Sequence, residues 1–120
     1  MKVVVTSIGG SADSQVDPRF GRASWFVLID TETGETASVD NSTGANAAQG
    51  AGIQAAETIS RLGAECLITG HCGPKAFRAL QAAGIEVYIG ASGTIAKAIE
   101  QLKSGELQLS TGPDVGGHWA

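Results

Sequence analysis

Apolar residues run together at the start of the chain, where "KVVVTS" places β-branched side chains at successive positions. A strand covered on both faces reads this way, because each face needs its own apolar row. Residues 8 to 23, "IGGSADSQVDPRFGRA", mix glycine, proline and small polar residues and are expected to form a long loop, of a length that usually carries function. "SWFVLID" predicts a second strand and the more polar "ETASVD" a third, nearer an edge, with "TETG" as the turn of an antiparallel hairpin. From Ala45 the period changes. Ala48, Gly52, Ala55, Ile59 and Leu62 share one helical stripe that stops at Gly63, which predicts a first helix. "AECLITG" is the fourth strand. Pro74 then opens a second helix in the turn where proline is best tolerated, with Ala76, Leu80 and Ala83 facing the sheet before Gly84. "IEVYIG" is the fifth strand, and Ile95, Ile99 and Leu102 mark a third helix ending near Gly105. The remainder, "ELQLSTGPDVGGHWA", holds a short alternating piece and then a glycine-rich end expected to be loosely held.

This order predicts an α/β domain over residues 1–110, with a Gly-rich flexible tail at 111–120. Right-handed crossovers put helices on both faces of one mixed sheet of five strands. The expected strand order is 3-2-1-4-5, with the second strand antiparallel. Ligands of such sheets bind outside the carboxyl ends of the strands where connections diverge, here between the first and fourth strands. The 8–23 loop, the start of the first helix and the "GHCGPK" and "GASGT" turns all meet at that edge.

Composition narrows the function classes. A net charge of −4, from 8 Lys+Arg and 12 Asp+Glu, argues against a nucleic-acid binder, which needs a basic face to release counterions. Neither a signal-peptide apolar region nor a membrane span is legible, so a cytoplasmic protein without a membrane partner is expected. Cys66 and Cys72 then read as thiols rather than a disulfide.

The upper edge suits an anion. Three expected helix N-termini offer unpaired N–H groups and positive partial charge, and Arg19, Arg22 and Lys75 add full charges. A cation about 4 Å from an anion contributes roughly 4 kcal/mol at an effective dielectric near 20. Net charge acts only over a Debye length of about 8 Å, so local charge decides. Glycines that include Gly70, Gly73, Gly90 and Gly93 let backbone approach the guest. Cys72, just before Pro74, is the candidate metal ligand, since a helix N-terminus and Lys75 favour its thiolate, and His71 can supply a nitrogen. Cys66 falls between apolar neighbours inside a strand and reads as structural. His118 and Trp119 of the tail read as solvated. The chain shows no zinc spacing, GxSxG elbow or P-loop lysine, and its first and fourth strands carry no carboxylates at their upper ends for a two-metal nuclease.

"RFGRASWFVLID", "GAGIQAAETISRLGAECLITGHCGPKAFRALQAAGIEVYIG" and "GTIAKAIEQLKSGEL" together resemble the dinitrogenase iron-molybdenum cofactor biosynthesis family over nearly the whole chain. That family includes nitrogenase cofactor carriers, the C-terminal domain of the cofactor-assembly radical enzyme, and small stand-alone members such as the orange protein, which holds a molybdenum-copper sulfide cluster. The resemblance implies a ribonuclease H-like three-layer α/β/α fold of strand order 3-2-1-4-5. It implies that Phe20, Gly21 and Arg22 flank the cofactor edge and that Gly73 and Pro74 begin the helix beneath it. Some carriers have a histidine in the loop after the first strand. This chain has none between residues 8 and 23, so the resemblance points to a stand-alone member. The implied function is a non-catalytic binder of an anionic metal-sulfur cluster, containing molybdenum with iron or copper, that exchanges it with donor and acceptor proteins. A small cysteine-nucleophile enzyme working through Cys72 and a metal-free anion sensor are the competing readings, and no oligomeric state is legible.

Overall fold

A computed structural model describes residues 1–47 and 49–110. The chain runs β1 (Lys2–Ser7), β2 (Trp25–Asp30), β3 (Thr36–Asp40), α1 (Ser42–Ala45), α2 (Ala51–Arg61), β4 (Cys66–Ile68), α3 (Pro74–Ala82), β5 (Glu86–Ile89), α4 (Ile95–Lys103) and β6 (Gln108–Leu109). One sheet of order β3-β2-β1-β4-β5-β6 holds every strand among the described residues. β2 lies antiparallel to both β1 and β3, while β1, β4 and β5 run parallel. This is the mixed sheet expected from the sequence, in a topology consistent with the ribonuclease H-like class.

Period-two alternation divides the core between the two faces of the sheet. Val4, Phe26, Leu67 and Val87 pack with Ala55, Ile59, Phe77 and Leu80 under α2 and α3. Val3, Val5, Val27 and Ile68 pack with Ile95 and Ala98 under α4. β1 is central, and its three valines are fully buried, which explains why its apolar residues are consecutive rather than alternating.

Two expectations need correction. The sheet has six strands rather than five, because Gln108 and Leu109 of the alternating "ELQLS" piece pair antiparallel with Ile89 and Tyr88. Two residues are too few for periodicity to reveal. The single helix expected from Ala45 is instead the short α1 followed by α2, since Gly50 takes a left-handed φ of 76° as the N-cap of α2. A left-handed residue cannot continue a right-handed helix. Alanine-rich sequence masked this break, and Ala48, counted in the stripe, lies outside the described residues. So does the 111–120 tail with His118 and Trp119.

The turns at the amino ends of the parallel strands carry a row of carboxylates. Asp30 is in register with Lys2, the Glu65 N–H donates to Lys2 O, and the Glu86 N–H donates to Glu65 O. Glu32 and Glu35 extend the row through the β2–β3 hairpin.

α2 and α3 approach each other where Gly52 faces Ala76, and a Cβ on Gly52 would lie 2.8 Å from the Ala76 Cβ. Gly52→Ala is therefore expected to lower stability by roughly 1 to 3 kcal/mol through overpacking. Urea unfolding would show a lower midpoint with an unchanged slope.

Candidate functional site

The 8–23 loop is stitched to the sheet along its length. Val16 N–H donates to Gly93 O, Ile95 N–H to Ser14 O, and Asp17 N–H to Thr6 O. The Thr6 hydroxyl contacts Asp17 O at 2.6 Å and the Thr69 hydroxyl at 2.9 Å, joining the loop to β1 and to the end of β4. Beyond Asp17 the loop crosses to the α2–α3 side. His71 N–H donates to Pro18 O, and Gly70 sits so close that a Cβ there would meet Pro18 Cα at 2.7 Å. Phe20 is buried with its ring centroid 6.1 Å from that of Phe26. Gly21 touches the start of α2, where a Cβ would meet Gly52 N at 2.6 Å. The buried Asn41 holds the same stretch from the other side, its Nδ2 donating to Ala23 O and Gly21 O.

A cleft of about 480 Å³ opens between these pieces. Arg19, Phe20, Gly21 and Arg22 form one wall, Ala51 and Gly52 of α2 a second, and His71, Gly73, Pro74, Lys75 and Ala76 of the β4–α3 turn a third. α2 and α3 both begin here. Neither has a side-chain cap or an acidic residue in its first turn, so their leading N–H groups and positive dipole ends are left to the cleft. α4, which begins away from the cleft, is capped conventionally by the Thr94 hydroxyl accepting from Lys97 N–H.

The cations differ in how they are held. Arg19 makes two side-chain bonds to the buried Asp17 carboxylate, which raises the pKa of its guanidinium further. Arg22 donates through one nitrogen to Ala45 O and Ala47 O, tying down the chain between α1 and α2. His71 and Lys75 are exposed. Among the described residues, no three His, Cys, Asp or Glu side chains gather to hold a metal ion.

The sequence-predicted residues thus divide. Arg19, Phe20, Gly21, Arg22, His71, Gly73, Pro74 and Lys75 come together around the cleft. Gly70 supports it by contact with Pro18, whereas Gly90 and Gly93 belong to the turn leading to α4 on the other face and do not line it. Two helix starts, not three, converge on the cleft. Cys72 is 1% exposed and joins the apolar cluster with Phe20, Ala76 and Phe77, its Sγ 3.7 Å from Gly73 O. Cys66 is fully buried on the α4 face, where burial pushes its thiol up to about 12. Sequence reasoning named Gly52 among the glycines of this edge but missed Ala51 and Ala76 as lining residues and Asp17 as the partner of Arg19. The Asp-Pro-Arg order was the available signal, because an Asp side chain readily bonds the N–H two residues on.

A family model described as dinitrogenase iron-molybdenum cofactor matches residues 1–105. The apo form of the orange protein from Desulfovibrio gigas is 43% identical and superimposes with a TM-score of 0.91, covering 94% of this chain and 95% of that one. A Thermotoga protein provisionally assigned as NifB is 35% identical, with a TM-score of 0.84 and coverage of 97% and 98%. An uncharacterized protein of Methanocaldococcus jannaschii is 29% identical over 111 residues, 90% of this chain and 94% of its own. Among the described residues, no helix is long and apolar enough to cross a membrane.

Two outcomes follow from this geometry. Arg22→Ala is expected to lower stability by about 1 kcal/mol in thermal or urea unfolding, through the lost bonds to Ala45 O and Ala47 O. Cys66 carries its ordinary pKa of 9.0 when unfolded and about 12 when folded, so the unfolded chain gives up its proton first as pH rises. The Cys66 contribution is full below pH 9 and is lost between pH 9 and about 12. Cys66→Ala should flatten the fall of urea midpoint in that window.

Proposed function

The chain belongs to the dinitrogenase iron-molybdenum cofactor family, and we propose that it is a non-catalytic carrier that holds an anionic metal-sulfur cluster, or its precursor, in the cleft beside Arg19 and Gly73. One observation carries this reading. Two helix starts without side-chain caps or acidic first turns share a cleft with Arg19, Arg22, His71 and Lys75. Sulfide-rich clusters are polyanions, and backbone N–H groups with guanidinium forks suit them. The absence of a three-residue ligand set among the described residues suits a cargo whose metals arrive already bound to sulfide. Molybdenum with iron or with copper are the compositions that the family resemblance brings, and donor and acceptor proteins are its implied partners.

Direct ligation is part of the proposal with unequal access. His71 lines the cleft and is exposed, so its ring is open to a cluster metal. The Cys72 sulfur must turn out of the apolar cluster before it can bind metal. The same burial weighs against the cysteine-nucleophile alternative, because a nucleophile must reach its substrate.

Gly73 offers a clean test. Its φ of −74° and ψ of 169° are open to any residue, and a Cβ there would meet nothing within 4 Å. Gly73→Ala should leave folding stability within about 1 kcal/mol, since a poorer N-cap and a less flexible unfolded chain oppose one another. If the cargo approaches this backbone, the added methyl group should weaken tetrathiomolybdate binding by about tenfold, or roughly 1.4 kcal/mol. Equal affinity in wild type and Gly73→Ala would place the cargo elsewhere. In anaerobic reconstitution with tetrathiomolybdate, copper or iron, and sulfide, Cys72→Ser should change the visible spectrum if Cys72 ligates metal, with Cys66→Ser as the matched control. Failure of wild type to retain any metal or thiomolybdate would overturn the carrier reading.

A further inference from the structure

Asp17 is the one carboxylate buried beside the cleft among the described residues, and the fold anchors it from several directions. Its side chain is 2% exposed. Its N–H donates to Thr6 O and its carbonyl accepts from the Thr6 hydroxyl, which also contacts Thr69, and both threonines are fully buried. The Asp17 Oδ1 accepts from Arg19 N–H at 3.0 Å and Arg19 Nε at 3.1 Å, and Oδ2 accepts from an Arg19 terminal nitrogen at 3.1 Å. The Arg19 side chain is nevertheless 55% exposed and lines the cleft.

Such an arrangement is costly if its only role is stability. A buried carboxylate gives up hydration, and an ion pair with one exposed partner recovers little of it. It does fix a guanidinium. An arginine bonded through two nitrogens cannot sweep its usual rotamers, so less freedom is lost when it meets a ligand. A guanidinium has five N–H donors in a fixed fork, and the Asp17 bonds leave others to meet an anion.

We infer that Asp17 is a positioning residue: it holds the Arg19 guanidinium at the cleft rim so that the remaining donors meet the anionic cargo without reorganisation. This rests on the carrier reading. It is opposed by a simple electrostatic account, in which a carboxylate next to the cationic site only repels an anion. The two accounts predict opposite signs for Asp17→Asn, which removes the negative charge and keeps the side-chain shape.

The test is titration of tetrathiomolybdate, followed by equilibrium dialysis and visible absorption, into wild type, Asp17→Asn, Arg19→Ala, Arg19→Lys and the Asp17→Asn/Arg19→Ala double variant. Positioning predicts that Asp17→Asn binds more weakly by about tenfold, the scale of one charge-assisted hydrogen bond. Arg19→Lys should weaken binding comparably although it keeps the charge, because an ammonium cannot form the two-point fork. Adding Asp17→Asn to Arg19→Ala should cost nothing further. Equal or tighter binding by Asp17→Asn, or full additivity in the double variant, would overturn the inference. A readout without ligand runs beside it: the Arg19 Nε–H signal in 15N NMR should exchange slowly with solvent in wild type and rapidly in Asp17→Asn. Rapid exchange in wild type would overturn the clamp itself. If the exchange data behave as expected but wild type binds no tetrathiomolybdate, the carrier reading fails, and Asp17 is only half of a structural ion pair. Should Asp17→Asn fail to fold, Arg19→Lys decides between aim and charge by itself.

Discussion

Chain segments meet around the cleft at glycines, where no side chain on the glycine keeps them apart. Gly21 lies against the first turn of α2, Gly52 against Ala76 of α3, and Gly70 against Pro18 of the loop. In each place a single Cβ would fall within 2.8 Å of its neighbour, closer than atoms can pack. The whole upper edge depends on these contacts. They let two helix starts and one loop converge on a cleft whose walls are largely apolar, with Arg19, Arg22, His71 and Lys75 among the residues that line it. Glycine costs conformational entropy on folding, and the core on the two faces of the sheet must offset it. The long burial of β1, with Val3, Val4 and Val5 all inaccessible, supplies that support directly beneath the site.

Much of the fold was legible because periodicity is strongest where burial is strongest. The consecutive valines of β1 identified a central strand, and Pro74 marked the start of α3 to the residue. The order of the first five strands followed from connection rules together with the family resemblance. What escaped detection was set by single residues or pairs. Gly50 breaks a helix through a positive φ that an alanine-rich stretch does not announce, and β6 is only Gln108 and Leu109. At the site, residue type identified the loop and turn residues that could bind an anion, and most of them do surround one cleft. Sequence could not say that Gly90 and Gly93 serve the opposite face, because α4 leads to the antiparallel β6 rather than to a parallel strand, and no crossover rule fixes the face on which it packs. Nor could it say that Cys72 points into the core. A turn residue beside a helix start has no periodicity from which inside and outside can be read.

In the carrier reading, the division of labour among the cations matters more than their number. Arg22 is committed to carbonyls of the α1–α2 connection, Arg19 is held by Asp17, and His71 and Lys75 are exposed. A held arginine supplies geometry and an exposed lysine supplies attraction, since an ammonium on a flexible stem acts as a point charge. A carrier must also release what it holds. An open cleft with backbone donors and partly exposed charges suits exchange better than a closed cage of thiolates would, because each contact can be replaced in turn by groups of another protein.

The carboxylate row at the amino ends of the parallel strands gives the molecule an electrical polarity that its net charge conceals. Asp30, Glu32, Glu35, Glu65 and Glu86 outnumber Lys2, Arg61, Lys103 and the N-terminal ammonium at one end of the sheet, and Arg19, Arg22, Lys75 and Lys97 outnumber Asp13, Asp17 and Asp40 at the other. A protein of net charge −4 would, as a uniform sphere, repel a polyanion from every direction. As a dipole it turns in the field of an approaching anion so that the cleft faces it, and this orienting torque acts before contact is made. Salt shortens the range of that torque, so ionic strength should govern how often a collision arrives at the correct end more than how firmly the cargo then stays.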